Sequence, residues 1–411
     1  MPVLLEEDKR MELPEMYTVR QQFERKKIED VEASVRCELC REQIRERIKP
    51  GMKVAVAVGS RGIRNLSLIV KTLVDTLKDA GALPFIVSAM GSHGGGTEQG
   101  QREVLAGYGI TGETMGVPVV TSVEVEKIAE TGSGIPVYFD AAALKADCII
   151  PVNRVKLHTD FVGELQSGLC KMLVIGLGNH KGCSVIHEEE FEHFSEILEE
   201  AAGLILKNAR VAFGIAILEN GYDETFKIEA IEAENIIRRE KELVALCKSI
   251  MPTIMLDTID VLVIEEIGKN ISGAGFDPNI VGKSSVLKTF VLHVPKIQKM
   301  VLLDLTEESH GNGIGVGLFD VITGRVFKKL DLESMYANAV ACKCIDDVKI
   351  PLICASKEEA VRVAVKACRN VDRKSLRIVE IKNTLELEYI KVSGALLPSV
   401  KKNGRMELCE K

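Results

Sequence analysis

The sequence predicts an α/β fold in two domains: a larger N-terminal domain on a mainly parallel sheet, and a smaller C-terminal α/β domain. Three observations predict it. The chain has 411 residues, more than one ordinary core organises. Short β-branched runs alternate with stretches of helical apolar spacing, the rhythm of βαβ units. That rhythm stops at a charged helix, roughly Glu232 to Ser249, followed by Pro252, and then restarts. The expected domains are 1–250 and 251–411, with the last ~20 residues free to return to the first domain.

Taken in order, Lys53-Val-Ala-Val-Ala-Val58 reads as a buried strand that ends in Gly59-Ser60-Arg61-Gly62. Leu66, Ile69, Val70, Leu73, Leu77 and Ala80 follow at helical spacing, and Gly81 is placed to close that helix. Pro84 to Met90 is a second strand; it runs into Gly91-Ser92-His93-Gly94-Gly95-Gly96, with Thr97 as the N-cap of the next helix. Asp147 to Pro151 is a third strand. Phe194, Ile197, Leu198, Ala201, Leu204 and Ile205 form a helical stripe, and Ala212 to Leu218 a further strand. The second domain restarts at Asp260–Ile264, continues through Met300–Asp304, and includes a helix over 357–369 and a strand over 377–381. The loops at Arg61 and His93 follow the carboxyl ends of strands, the edge where open α/β sheets bind ligands.

Composition excludes several classes. Net charge is −7, unlike a general nucleic-acid binder. No apolar run is long enough to span a membrane, and the first residues lack a charged-then-apolar signal pattern. Eleven cysteines are an odd number, and Cys148, Cys247, Cys354 and Cys368 sit in apolar runs. Reduced, buried thiols in a cytoplasmic protein are the expectation.

Chemistry concentrates between Arg154 and Glu190, where His158, His180 and His187 accompany Ser167-Gly168-Leu-Cys-Lys171 and Gly176-Leu-Gly178. His93 lies in a glycine loop whose backbone can approach a ligand closely; otherwise it is a turn histidine. His158 follows a strand and suits proton transfer near neutral pH, or is a satisfied surface residue. Lys171 precedes Met-Leu-Val-Ile, so its amine is either partly desolvated and nucleophilic or extended to solvent. His187 is no zincin histidine, because Phe191 stands where the second histidine belongs; it can still give one metal ligand. Cys37-Glu-Leu-Cys40 has no partner pair and reads as two helical cysteines. The His310 loop, with Gly311, Gly313, Gly315 and Gly317, matches neither a dinucleotide nor a phosphate-loop spacing and reads as a tight turn.

In these same residues the chain resembles the lactate racemase family, the nickel-pincer-nucleotide-dependent racemases and epimerases of 2-hydroxy acids. His93, in Met-Gly-Ser-His-Gly, and His158 resemble its two catalytic histidines. Lys171, closing Ser167-Gly168-Leu-Cys-Lys171, resembles the lysine that tethers the cofactor. His187, sixteen residues on, has the spacing of the nickel-ligating histidine. The resemblance implies an isomerase with its active site in a cleft between domains, and nickel pincer nucleotide as cofactor. It also implies a small 2-hydroxy acid as substrate and cofactor-synthesis proteins as partners, with no nucleic acid and no membrane. The hydrogen would leave as hydride to a cationic pyridinium while the two histidines exchange the hydroxyl proton.

Arg61 and Arg64 stand where the family carries Asp-x-x-Arg-Pro, but the Asp and Pro are absent. Either arginine is a candidate to hold a carboxylate or the nucleotide phosphate. Ser167, Gly168 and Lys283 complete the implied cofactor contacts. Thr159-Asp160 replaces an aromatic pair, which implies a more polar substrate than lactate. Two alternatives remain: an oxidoreductase or hydrolase using another metal on this scaffold, and a non-enzymatic binder of nucleotide or metal.

Overall fold

The computed structural model describes residues 3–60 and 62–409. They form two compact units. One is Arg25–Ile250; the other joins the N-terminal residues through Glu24 to Met251 onward. The chain passes from one unit to the other at Glu24–Arg25 and again at Ile250–Met251, so its first residues belong with the second unit.

In the Arg25–Ile250 unit a six-stranded sheet has the order Val119–Val120, Leu83–Ser88, Lys53–Val58, Cys148–Arg154, Phe213–Glu219, Thr225–Glu232. The first five strands are parallel and the last is antiparallel. Lys53–Val58 is buried at every position but its first. A strand covered on both faces needs a nearly continuous apolar run, which is why its sequence does not alternate. The helix Leu66–Asp79 lays Leu66, Ile69, Val70, Leu73 and Leu77 on this sheet. It ends where Gly81 takes φ +77°, a conformation that glycine reaches without a Cβ penalty. Thr97 caps the helix Glu98–Gly107 by accepting the Gly100 N–H at 3.1 Å.

The sheet positions the site through its connectivity. From Lys53–Val58 the chain crosses to Leu83–Ser88 on one side, and later returns to Cys148–Arg154 on the other. The strand order therefore reverses between Lys53–Val58 and Cys148–Arg154. At such a reversal the loops leaving the carboxyl ends of the two strands turn apart, the place where open α/β sheets bind ligands. Ser60 lies on one of those loops and His158 on the other.

A short antiparallel hairpin, Val125–Glu130 with Pro136–Asp140, stands apart from the main sheet. Neither it nor the edge strand Thr225–Glu232 was expected from sequence.

The second unit is built on an eight-stranded sheet. Its order is Leu352–Cys354, Val321–Thr323, Lys296–Leu305, Thr258–Ile267, Ile378–Ile381, Tyr389–Ser393, Met16–Gln21, Met406–Leu408. The first five are parallel and the rest antiparallel. Val19 is fully buried in a core with Ile254, Leu262, Met300, Val379 and Val392. The first residues join this unit because Met16–Gln21 finds its partners in Tyr389–Ser393 and Met406–Leu408. The last strand stays in the same sheet.

Among the described residues no cysteine pairs in a disulfide, and Cys37 and Cys40 lie exposed on the helix Val31–Cys40. Among the described residues, no helix is long and apolar enough to cross a membrane.

Candidate functional site

His93 is held in a loop that only small residues can build. Gly94, Gly95 and Gly96 all take positive φ, between 65° and 67°. A Cβ on Gly94 would lie 2.6 Å from the Gln101 amide nitrogen, so the loop folds directly against the next helix. Gln101, fully buried, donates to the Gly91 carbonyl at 3.2 Å and accepts the Ser88 hydroxyl at 2.6 Å. His93 Nδ1 meets Ser60 Oγ at 2.5 Å, and the Ser60 carbonyl accepts the Tyr108 hydroxyl at 2.7 Å. The imidazole is exposed, but two loops fix its orientation.

His158 sits in a closed loop. Lys156 and Ser167 exchange backbone hydrogen bonds at 2.8 and 3.1 Å and tie its ends together. Inside the loop the His158 N–H donates to Gln166 Oε1 at 2.7 Å. The Asp160 N–H donates to His158 Nδ1 at 3.1 Å. The ring stacks on Phe161, with centroids 4.3 Å apart and planes at 28°. Its other nitrogen, Nε2, meets Lys171 Nζ.

Lys171 closes a single helical turn, Leu169–Lys171, and the chain then passes into a π-helix, Met172–Gly176. Such widened turns concentrate at functional sites. The run Met172–Gly176 is wholly buried, so the apolar sequence after Lys171 anchors the turn rather than carrying the amine to solvent.

His187 follows the helix Asn179–Ile186. Its Nδ1 donates to the Cys183 carbonyl at 2.7 Å and lies 3.5 Å from the Cys183 sulfur. Burial disfavours charge on this imidazole, but the Cys183 thiol outweighs it and raises the ring's pKa. The Cys183 thiol is correspondingly lowered, against its burial, by His187 and by Ser92.

Three of the expected residues, Lys171, His158 and His187, are linked by direct and aromatic contacts. Phe161, stacked on His158, packs against Phe194 at 5.1 Å, and Phe194 meets the His187 ring edge-on at 5.3 Å. The Cys183 thiol, beside His187, points to Ser92 Oγ at 3.7 Å; Ser92 adjoins His93. The Phe161–Phe194 pair thus bridges His158 and His187, and Ser92 brings the loop of His93 against Cys183, while the His93 ring itself faces Ser60.

The remaining candidates are distributed differently. Ser167 serves the backbone bridge. Gly168 accepts from Asn153 Nδ2 at 2.7 Å. The Arg64 N–H donates to Glu219 at 2.6 Å, while Arg154 pairs with the same carboxylate. Arg64 also borders a polar cavity of about 490 Å³ with Lys27, Asp30 and Glu224. Arg61 lies outside the described residues. Lys283 belongs to the other unit, where it pairs with Asp320 at 3.2 Å.

Sequence reasoning passed over Ser60, Cys183, Phe161, Phe194 and Glu240. Cys183 carried a local signal, since it stands one helical turn before His187. The others meet the site through long-range folding.

A metal here would depend on non-protein donors. Among the described residues, no three His, Cys, Asp or Glu side chains gather in a metal-binding group. The donor set does fit a chelating cofactor with one protein imidazole. Nδ1 of His187 is committed to a carbonyl, which leaves Nε2 as the ligating atom.

Comparison with known proteins adds three findings. Residues 3–197 match the family model of the lactate racemase N-terminal domain. No curated protein matches the chain. The fold is similar to that of the lactate racemase apoprotein from Thermoanaerobacterium thermosaccharolyticum, with a TM-score of 0.54 and 12% identity, over 90% of this chain and 94% of that one.

Proposed function

From residues 3–197, which belong to the lactate racemase N-terminal domain family, we propose that this protein is a racemase or epimerase of a 2-hydroxy acid. Its cofactor would be a nickel pincer nucleotide tethered at Lys171. The observation that carries this reading is the contact of Lys171 Nζ with His158 Nε2. His158 Nδ1 accepts the Asp160 N–H, so a neutral ring carries its proton on Nε2. The contact sets the lysine amine directly against that ring, beside the wholly buried run Met172–Gly176, where an amine is placed to be acylated.

The bound cofactor supplies a cationic ring and a soft metal that can take up the hydrogen with its electron pair. His187 would hold the metal through Nε2, and Lys171 would fix the cofactor in place. His93 and His158 would move the hydroxyl proton. One imidazole takes it from the substrate and the other returns it to the product, so the pair must begin in opposite protonation states.

Ser60 orients His93 and the Asp160 amide orients His158. The Phe161–Phe194 wall excludes water from the second histidine and strengthens its electrostatics. Arg64, Arg61 and Lys283 are candidates for the substrate carboxylate or the nucleotide phosphate. Thr159 and Asp160, beside His158, favour a substrate with further polar groups.

Co-expression with the cofactor-synthesis proteins tests this. Intact mass spectrometry should find an adduct on Lys171 with about one nickel per chain, and a chiral assay should find interconversion of at least one 2-hydroxy acid pair. An unmodified Lys171 under those conditions removes the tether and the proposal with it.

A further inference from the structure

Helix Ile236–Ile250 buries Ile236, Leu243, Val244, Cys247 and Ile250, and Glu240 stands in line with them at 0% exposure. A carboxylate in such a stripe is costly unless it is hydrogen-bonded. Its Oε2 accepts the Cys170 N–H at 3.0 Å, and the Leu169 N–H contributes as well. Its other oxygen has no hydrogen-bond partner. These two amides open the helical turn that ends in Lys171.

Gly168 completes the arrangement. A Cβ at this position would lie 2.5 Å from the Glu240 carboxyl carbon and 2.5–2.7 Å from its oxygens. The backbone here is extended, with φ −178°, so conformation does not call for glycine; the space taken by Glu240 does. From the opposite side Asn153 holds the Gly168 carbonyl. The Ser-Gly-x-x-Lys sequence is thus clamped over three consecutive residues by groups from two distant elements.

We propose that Glu240 is the positioning residue of Lys171: its carboxyl group fixes the backbone of residues 168–170 and so sets where the lysine amine stands against His158. Glu240 meets no reacting atom and acts only through the turn it holds. The raised pKa of its carboxyl, pushed up to about 7 by burial against the pull of the Cys170 and Leu169 amides, agrees with an anchor retained at a cost. The inference rests on Lys171 being the tether, but its test does not.

The test uses the full-length apoprotein. Trace acetic anhydride labels the lysines in competition, and peptide mass spectrometry compares Lys171 with the exposed Lys127. Glu240→Gln keeps an acceptor for the Cys170 N–H and should leave the Lys171 ratio within about twofold of wild type; Glu240→Ala should shift it by about fivefold or more. Gly168→Ala, which pushes the turn off the carboxylate, should shift the ratio likewise. Adding Glu240→Ala to Gly168→Ala should restore at least half of the lost melting temperature, the sign of direct contact.

An unchanged Lys171 ratio in a folded Glu240→Ala protein, with only the melting temperature lowered, makes Glu240 merely structural and overturns the proposal. If that variant does not fold, an unchanged ratio in Gly168→Ala does the same. A shifted ratio in a chain that never acquires the Lys171 adduct refutes the tether alone.

Discussion

His187 donates from Nδ1 to the carbonyl of Cys183, 2.7 Å away and one helical turn earlier. That bond fixes which nitrogen remains for a ligand, because a neutral imidazole has one proton and it is already placed. The local sequence Cys183-Ser-Val-Ile-His187 carries the spacing, and the helix Asn179–Ile186 turns it into a contact by stacking residues four apart.

His187→Ala should lower nickel retention while leaving the Lys171 adduct, since the chelator and the tether remain and only one protein donor is lost. Elemental analysis and intact mass on the same co-expressed sample check this. Full nickel occupancy in the variant would remove His187 from the metal. Cys183→Ala keeps the backbone carbonyl, so nickel should be retained.

His93→Ala and His158→Ala should each reduce turnover by at least ~100-fold, the usual scale for loss of an acid or base. In both, cofactor mass and nickel should persist. Replacing Ser60 by Ala leaves His93 in place but releases its orientation, and a smaller loss of ~10-fold is expected. Chiral assays at saturating and at low substrate concentration distinguish a kcat effect from a KM effect.

Phe161 is 1% exposed and lies between His158 and Phe194. Phe161→Ala should cost about 3–5 kcal/mol of stability, the range for a deleted buried aromatic. It should also loosen His158. Phe161→Leu, closer in volume, should recover much of the stability without restoring the ring stack. Denaturant unfolding of the apoprotein measures the first effect and turnover of the loaded enzyme the second.

The pH dependence of stability should carry a signature of Glu240. Burial raises its folded pKa from the ordinary 4.5 to about 7. Below pH 4.5 both states hold the proton. Between 4.5 and 7 the unfolded chain releases it and the folded chain retains it, so stability falls as pH rises. Above 7 both are ionised and the loss is complete, up to roughly 3 kcal/mol. The thiol of Cys170 faces this carboxyl group, and the Glu199–Lys241 pair acts on that thiol. Glu240→Gln should remove this component, and unfolding curves of the two proteins across pH 4.5 to 8 should converge at low pH and diverge as pH rises. Parallel curves would deny Glu240 the shifted titration.

Much of the fold was legible because its signals are local. The parallel strands Lys53–Val58, Leu83–Ser88 and Cys148–Arg154 announce themselves as apolar runs, being covered on both faces. The strand Met16–Gln21 was not legible. Its sequence, Met-Tyr-Thr-Val-Arg-Gln, is only partly buried, and its place depends on partners 369 or more residues away at Tyr389–Ser393 and Met406–Leu408. The hairpin of Val125–Glu130 and Pro136–Asp140 is likewise mixed in polarity.

For the site, the sequence by itself determined which chemical groups are available: imidazoles at 93, 158 and 187, an amine at 171, and glycines that let the backbone come close. It also placed two of them, His93 and His158, after strands, at the edge where parallel sheets leave room for a ligand. Only the tertiary structure decided what each group faces. Ser60 meets His93, the Asp160 amide meets His158, and Glu240 reaches the turn of Lys171 from 70 residues away. Residue type follows from local chemistry, whereas hydrogen-bond partner, burial and tautomer are properties of a neighbourhood, and a neighbourhood exists only once the sheet has brought distant strands together.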